Sequence, residues 1–172
     1  MRVFSLYNGF CQRLDSRSLM RHLLVVSHTP SPNTLAMTQA VLHGASHHDL
    51  KQITVSKSAP LETGPDAVLK ADGIILGTSE NFGYMSGAMK DFFDRIYYPC
   101  LERTQSLPYA LFIRAGNDGL GAKSSIERIV KGLAWKPAQE TLICCGDWQE
   151  SFLDQCEEMG MTMAAGLEAG IF

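Results

Sequence analysis

The sequence predicts a doubly wound α/β fold, in which a five-stranded parallel sheet lies between two layers of helices. Three observations carry that expectation. Five short apolar runs, at Leu23, Ile53, Ile74, Ala110 and Leu142, are bounded by turn residues as strands are. Between them the apolar residues recur at helical spacing. The runs at Leu23, Ile74 and Ala110 are continuously apolar instead of alternating, as in strands covered on both faces. Strand and helix signals in strict alternation imply crossover connections and a single parallel sheet in a three-layer α/β/α arrangement.

Taken in order, residues 1–19 hold three arginines and one acid, whereas the remaining 153 residues carry 12 basic and 17 acidic groups. That first stretch shows no periodicity and lacks the apolar centre and cleavage site of a signal peptide. We expect a poorly ordered N-terminal extension over 1–19, such as an upstream start codon would add, and a folded domain over 20–172. Leu23-Leu24-Val25-Val26 is the first strand. Ser31 is a helix N-cap with Pro32 at the first helical position, and Met37, Ala40, Val41 and Ala45 follow on one face. Gln52-Ile53-Thr54-Val55 is a more peripheral strand, and residues 57–65 are loop, with Pro65 starting a short helix. Ile74-Ile75-Leu76 is the third strand. Met85, Met89, Phe92, Phe93, Ile96 and Tyr97 form the apolar face of a helix that Pro99 ends or kinks. Ala110-Leu111-Phe112-Ile113 is the fourth strand, followed by a helix carrying Ile126, Ile129, Val130 and Leu133. Thr141 to Cys145 is the fifth strand, and Asp147 with Glu150 resembles a capping box for a last helix.

Composition narrows the function. The length, 172 residues, suits one domain. A net charge of −3 argues against nucleic acid or an anionic membrane as the main partner. No apolar run is long enough to span a bilayer. The cysteines number five, and none are in CxxC spacing, which points to a reduced, cytoplasmic setting. Cys144 and Cys145 lie in an apolar run and read as core packing. Cys11 and Arg17 have the C-x5-R spacing of a cysteine phosphatase, but the intervening residues lack the glycines of a phosphate cradle and no helix follows. His43 and His47, spaced i and i+4, read with His48 as a solvated helix end instead of a metal site.

In an open α/β sheet, ligands bind beyond the carboxyl ends of the strands where the strand order reverses. The loops after strands one, three and four are the ones with unusual composition. Ser27-His28-Thr29-Pro30-Ser31-Pro32-Asn33-Thr34 offers small polar side chains at a helix N-terminus, a ready anion site. It holds no lysine or arginine, so neutral donors and the helix dipole must hold the anion, which suits a terminal phosphate monoester. It matches neither GxxxxGK[ST] nor GxGxxG. The second loop, Gly77 to Gly87, places two aromatics and three glycines between strand and helix, so the backbone can approach a flat ligand. The third loop, Ala115 to Gly121, contains three glycines.

The run Gly77-Thr78-Ser79-Glu80-Asn81-Phe82-Gly83-Tyr84-Met85-Ser86-Gly87-Ala88-Met89-Lys90-Asp91-Phe92-Phe93-Asp94-Arg95 strongly resembles the second FMN loop and helix of flavodoxin-like NAD(P)H-dependent oxidoreductases. The resemblance covers residues 20–165 and is most specific over 74–95; Ser79 stands where relatives often have proline. It implies a flavodoxin-like fold with noncovalent FMN. Ser27, Thr29, Ser31, Asn33 and Thr34 would take the phosphate. Asn81, Phe82 and Gly83 would contact the ring, with Thr78, Tyr84 and Ser86 nearby, and Gly116, Asn117, Asp118 and Gly119 would close the other side. The implied partners are NAD(P)H and a quinone, another small acceptor or a protein, and the implied assembly is a homodimer or tetramer. No catalytic acid or base and no metal is assigned, because the flavin carries the redox step. Two rival readings remain at this point: an FMN electron carrier without NAD(P)H activity, and a flavin-free binding module.

Overall fold

The computed structural model describes residues 20–172. The expected extension and the Cys11–Arg17 spacing lie outside the described residues. The elements run β1 (Arg21–Ser27), α1 (Pro32–Ala45), β2 (Ile53–Ser58), a 3-10 turn (Pro60–Glu62), α2 (Pro65–Leu69), β3 (Gly73–Asn81), β4 (Tyr84–Met85), α3 (Gly87–Cys100), β5 (Pro108–Ala115), α4 (Leu120–Gly132), β6 (Lys136–Pro137), β7 (Leu142–Cys145) and α5 (Ser151–Glu168).

The sheet order is β2-β1-β3-β5, with β6 and β7 both on the far side of β5. This is the doubly wound order of flavodoxin-like sheets, with the reversal at β1 and β3. All pairings are parallel except the β3–β4 hairpin. The expected fifth strand is present as β7, and a short strand not expected from the sequence, β6, precedes it on the same side of β5. Lys136 and Pro137 pair with Pro108 and Tyr109, and Leu142 to Cys145 pair with Phe112 to Ala115. Pro137 has no N–H to donate, so this segment suits only an edge position.

The core follows from strand alternation. Leu24, Val26, Ile74, Leu76, Tyr109, Leu111 and Ile113 face α2, α3 and α4. Leu23, Val25, Ile75, Ala110 and Phe112 face α1 and α5. Central strands buried on both faces are therefore apolar at every position, which is why their runs show no alternation. On the α3 side, Met89, Phe92, Phe93 and Ile96 are fully or almost fully buried. Pro99 sits in the last turn of α3, which ends one residue later. On the other side α1 and α5 pack through glycines. A Cβ on Gly44 would fall on the carbonyl oxygen of Glu157, and one on Gly160 on that of Val41.

Three local expectations differ from the structure. Met85 is buried but lies on β4, because Ser86 caps α3 and starts it after the hairpin. Asp147 and Glu150 form no capping box: Glu150 precedes α5 with helical dihedrals, makes no side-chain cap, and its carboxylate accepts from the Trp148 indole at 3.0 Å. Cys144 is buried, but Cys145 is exposed, since adjacent residues of an edge strand point to opposite faces. A hydrogen bond from Cys156 draws the Cys144 thiol below its ordinary range and, with burial, holds the Cys156 thiol far above it.

Overpacking a close backbone contact costs about 1–3 kcal/mol. Gly44→Ala and Gly160→Ala are each expected to destabilise the fold by that amount. Thermal unfolding followed by circular dichroism checks it, with a fall in Tm of several degrees.

Candidate functional site

Strands β1, β3 and β5 are adjacent and parallel, so their carboxyl ends lie side by side. The segments 27–34, 77–86 and 115–121, each a strand end with the turn that follows it and called loops below, therefore lie at the same edge of the sheet; the second is shorter as a turn than the sequence suggests, because β3 continues to Asn81. They also contact one another. The His28 N–H donates to the Gly77 carbonyl at 2.9 Å. The Asn117 N–H donates to the Glu80 carboxylate at 3.1 Å. Gly121, in the first turn of α4, lies so close beneath the Gly83 carbonyl that a Cβ there would overlap it.

In the first loop, Ser31 and Thr34 form a reciprocal capping box at the start of α1. The Thr34 N–H donates to Ser31 Oγ at 3.3 Å, and the Ser31 N–H to Thr34 Oγ1 at 3.1 Å. The buried Ser27 hydroxyl pairs with Thr38 Oγ1 at 2.8 Å. Ser27, Ser31 and Thr34 thus shape the loop through internal bonds. Thr29 and Asn33 are half-buried at its surface. Among the described residues their side chains and backbone N–H groups bond to no other protein group. The His28 Nδ1 is buried without a partner among the described residues. Burial lowers the His28 pKa below the ordinary histidine value, which favours the neutral ring at pH 7.

The second loop is a tight hairpin. Phe82 and Gly83 are its two central residues, with φ of 54° and 71°. Positive φ at both positions is the mark of a type I′ turn. Beneath the turn, the Ser86 N–H donates to Thr78 Oγ1 at 3.1 Å, the two hydroxyls lie 3.2 Å apart, and Ser86 Oγ accepts from the Met89 N–H to cap α3. Thr78 and Ser86 are buried in this knot, while Asn81, Phe82, Gly83 and Tyr84 are exposed above it. Phe82 is fully exposed. A bulky residue held at positive φ, with its ring in solvent, gains nothing from folding, and such strain clusters at functional sites.

In the third loop, Asp118 Oδ1 accepts from the Leu120 N–H at 2.9 Å, ahead of α4. Gly119 precedes the helix at φ 70° and is buried, while Gly116, Asn117 and Asp118 are exposed. The three loops together make an open polar shelf flanked by Phe82, Tyr84 and Leu120, three exposed apolar side chains. The sequence pattern did not single out Glu80 or Leu120. Glu80 falls inside the loop motif, but its bond across to Asn117 is visible only in three dimensions.

Other features lie elsewhere. A cleft of about 830 Å³ opens between α4 and residues 134–141, lined by Tyr109, Trp135 and Glu127 among others, and none of the three loops borders it. His47, His48 and Asp49 bring ligand atoms within 4.8 Å of one another, but on the loop after α1, at the opposite edge of the sheet. His43, at the end of α1, pairs with Glu157 on α5 at 3.0 Å. No helix among the described residues is long and apolar enough to cross a membrane.

A family model described as NADPH-dependent FMN reductase matches residues 27–134. No curated protein matches the chain by sequence. Among solved structures, a flavodoxin from the domain Archaea superposes with a TM-score of 0.73 at 21% identity, covering 86% of this chain and 99% of that one. A WrbA-like flavodoxin from Agrobacterium tumefaciens gives 0.69 at 18% identity, covering 87% and 98%. The Flv1 flavodiiron core from Synechocystis sp. PCC6803 gives 0.74 at 16% identity, and there the match covers 90% of this chain but 38% of the other. At these identities the likeness shows the shared fold.

Type I′ turns favour Asn before Gly. Phe82→Asn is expected to relieve the positive-φ strain and stabilise the protein by about 1 kcal/mol. Chemical denaturation checks it as a higher midpoint at unchanged m.

Proposed function

The chain belongs to the NADPH-dependent FMN reductase family, and on that premise we propose that it is an oxidoreductase that holds FMN across the three loops and passes electrons from NAD(P)H to a quinone or another small acceptor. The observation that carries this reading is the convergence of three loops at the reversal point of the sheet, the second of them bonded to both the first and the third. The residues there fit the group. Thr29 in the loop and Asn33 in the first turn of α1 present donors that bond to no other described residue, which suits a phosphate. The exposed hairpin and the glycine-rich third loop border a shelf open to a flat ring.

In this reading Thr29 and Asn33 bind the phosphate, and Ser27, Ser31 and Thr34 hold the loop in shape for them. Asn81, Phe82, Gly83 and Tyr84 border the ring on one side, and Gly116, Asn117, Asp118 and Gly119 on the other. Thr78 and Ser86 anchor the hairpin from below. FMN, when bound, supplies the hydride and electron-transfer chemistry. The protein's own part is to orient the ring and tune it through hydrogen bonds and charge. Glu80 and Asp118 are the acidic groups placed for that task, and the Glu80 carboxylate also ties the second loop to the third. Exposure of the shelf leaves room for a nicotinamide or an acceptor to approach.

A second reading, an FMN electron carrier, is favoured by compactness. The match to the archaeal flavodoxin covers 86% of this chain, so few residues lie outside the shared fold to build a dedicated nicotinamide pocket. Steady-state oxidation of NADH or NADPH by the FMN-loaded protein separates the two: turnover supports the reductase, and its absence with FMN bound supports the carrier.

Purified protein titrated with FMN is expected to show a bound-flavin visible spectrum and anaerobic bleaching by NAD(P)H. Gly83→Glu places a side chain at positive φ, costing roughly 1–2 kcal/mol, and a negative charge at the ring's border. It is expected to weaken FMN binding or shift the flavin potential, and an unchanged affinity and potential would count against this placement of the ring.

A further inference from the structure

The cleft beside α4 stands apart from the three loops and has an aromatic floor. One wall is α4, where Lys123, Glu127 and Lys131 recur at i, i+4 and i+8 along one face. The other wall is the segment 137–141, between β6 and β7 at the edge of the sheet. Tyr109 and Trp135 lie at its base, only 6% and 5% exposed. The Trp135 indole is satisfied, because it donates to Thr104 Oγ1 at 2.8 Å. The Tyr109 hydroxyl bonds to no described residue. Among the described residues, His28 Nδ1 is the one side-chain polar atom both sealed from solvent and unbonded, so the Tyr109 hydroxyl must open into the cleft that its side chain lines. Burial, reinforced by Glu127, raises the Tyr109 pKa above the ordinary tyrosine value, so the phenol keeps its proton at pH 7 and is a donor.

The charges around this donor are unevenly used. The Glu127 carboxylate is engaged twice, by Lys123 Nζ at 3.8 Å and by the Thr141 hydroxyl at 3.4 Å from the opposite wall. Lys131 is in no ion pair among the described residues, and Glu140 is exposed on the opposite wall. A neutral donor at the base and an unpaired ammonium on the wall both call for an acceptor, and the ammonium for a negative one. We propose that this cleft is a second ligand site, which binds a small aromatic carboxylate with its ring over Trp135 and its carboxylate between Tyr109 and Lys131. The volume of about 830 Å³ falls within the range of small-molecule sites, which is about 300–1,000 Å³. The proposal does not rest on the FMN reading, since none of the three loops borders the cleft.

The test is titration of isotope-labelled, full-length protein with benzoate, benzyl alcohol and benzylamine, followed through backbone amide resonances and the Trp135 indole resonance. Benzoate is expected to shift residues 123–141 and the Trp135 indole, benzyl alcohol to bind several-fold more weakly, and benzylamine more weakly still. Tyr109→Phe keeps the ring and removes the donor, and is expected to lose about tenfold in benzoate affinity. Lys131→Gln, on the exposed face of α4, is expected to lose about threefold for benzoate and to stay within about twofold for benzyl alcohol. This second variant decides the matter should Tyr109→Phe fail to fold. Benzoate shifts absent from 123–141 or confined to the three loops, equal affinity for the three probes, or an undiminished benzoate affinity in either folded variant overturns the proposal.

Discussion

Strand β3 is hydrogen-bonded along both sides, to β1 from Gly73 to Gly77 and to β5 from Ile74 to Ser79. The rest of the molecule depends on that double pairing. Parallel register brings three carboxyl ends together, and with them the three loops that form the shelf. A slip of one residue would turn Ile74 and Leu76 out of one core and Ile75 out of the other, so both helical layers oppose it. The sheet core therefore sets where the three loops emerge, although their own residues are largely exposed.

Most of the fold was legible because the central strands are buried on both faces and the helices are amphipathic. Ser31 announced α1 as a cap and proved to be one. Illegible parts share a physical cause, in that each depends on a contact distant in sequence or on a turn without its usual residues. The β3–β4 hairpin turns on Phe82-Gly83, where Asn-Gly is favoured, so its type I′ geometry left no composition signal. The short strand β6 was missed because two residues, one of them Pro137, carry no strand pattern of their own and pair only through the distant Pro108 and Tyr109. The Asp147–Glu150 spacing looked like a capping box, but Glu150 is engaged by Trp148 instead.

The candidate site was legible as a region more than as a set of roles. Serine and threonine cap helices, bridge strands and bind anions with the same hydroxyl, so sequence alone cannot separate Ser27, Thr34, Thr78 and Ser86, which are bonded within the protein, from Thr29, which is not. The structure makes that separation. It also singles out Phe82, whose strained and exposed position is hard to account for by folding alone, and His28, whose buried nitrogen has no partner among the described residues.

In the proposed reading, one edge of the sheet, across three loops, is where this chain meets its ligand. Titrating isotope-labelled protein with FMN and following backbone amide resonances tests it most directly. Shifts are expected to concentrate in residues 27–34, 78–86 and 116–121, with little change along α5 or around the cleft beside Trp135. Shifts centred on that cleft, or absent from two of the three loops, would contradict it.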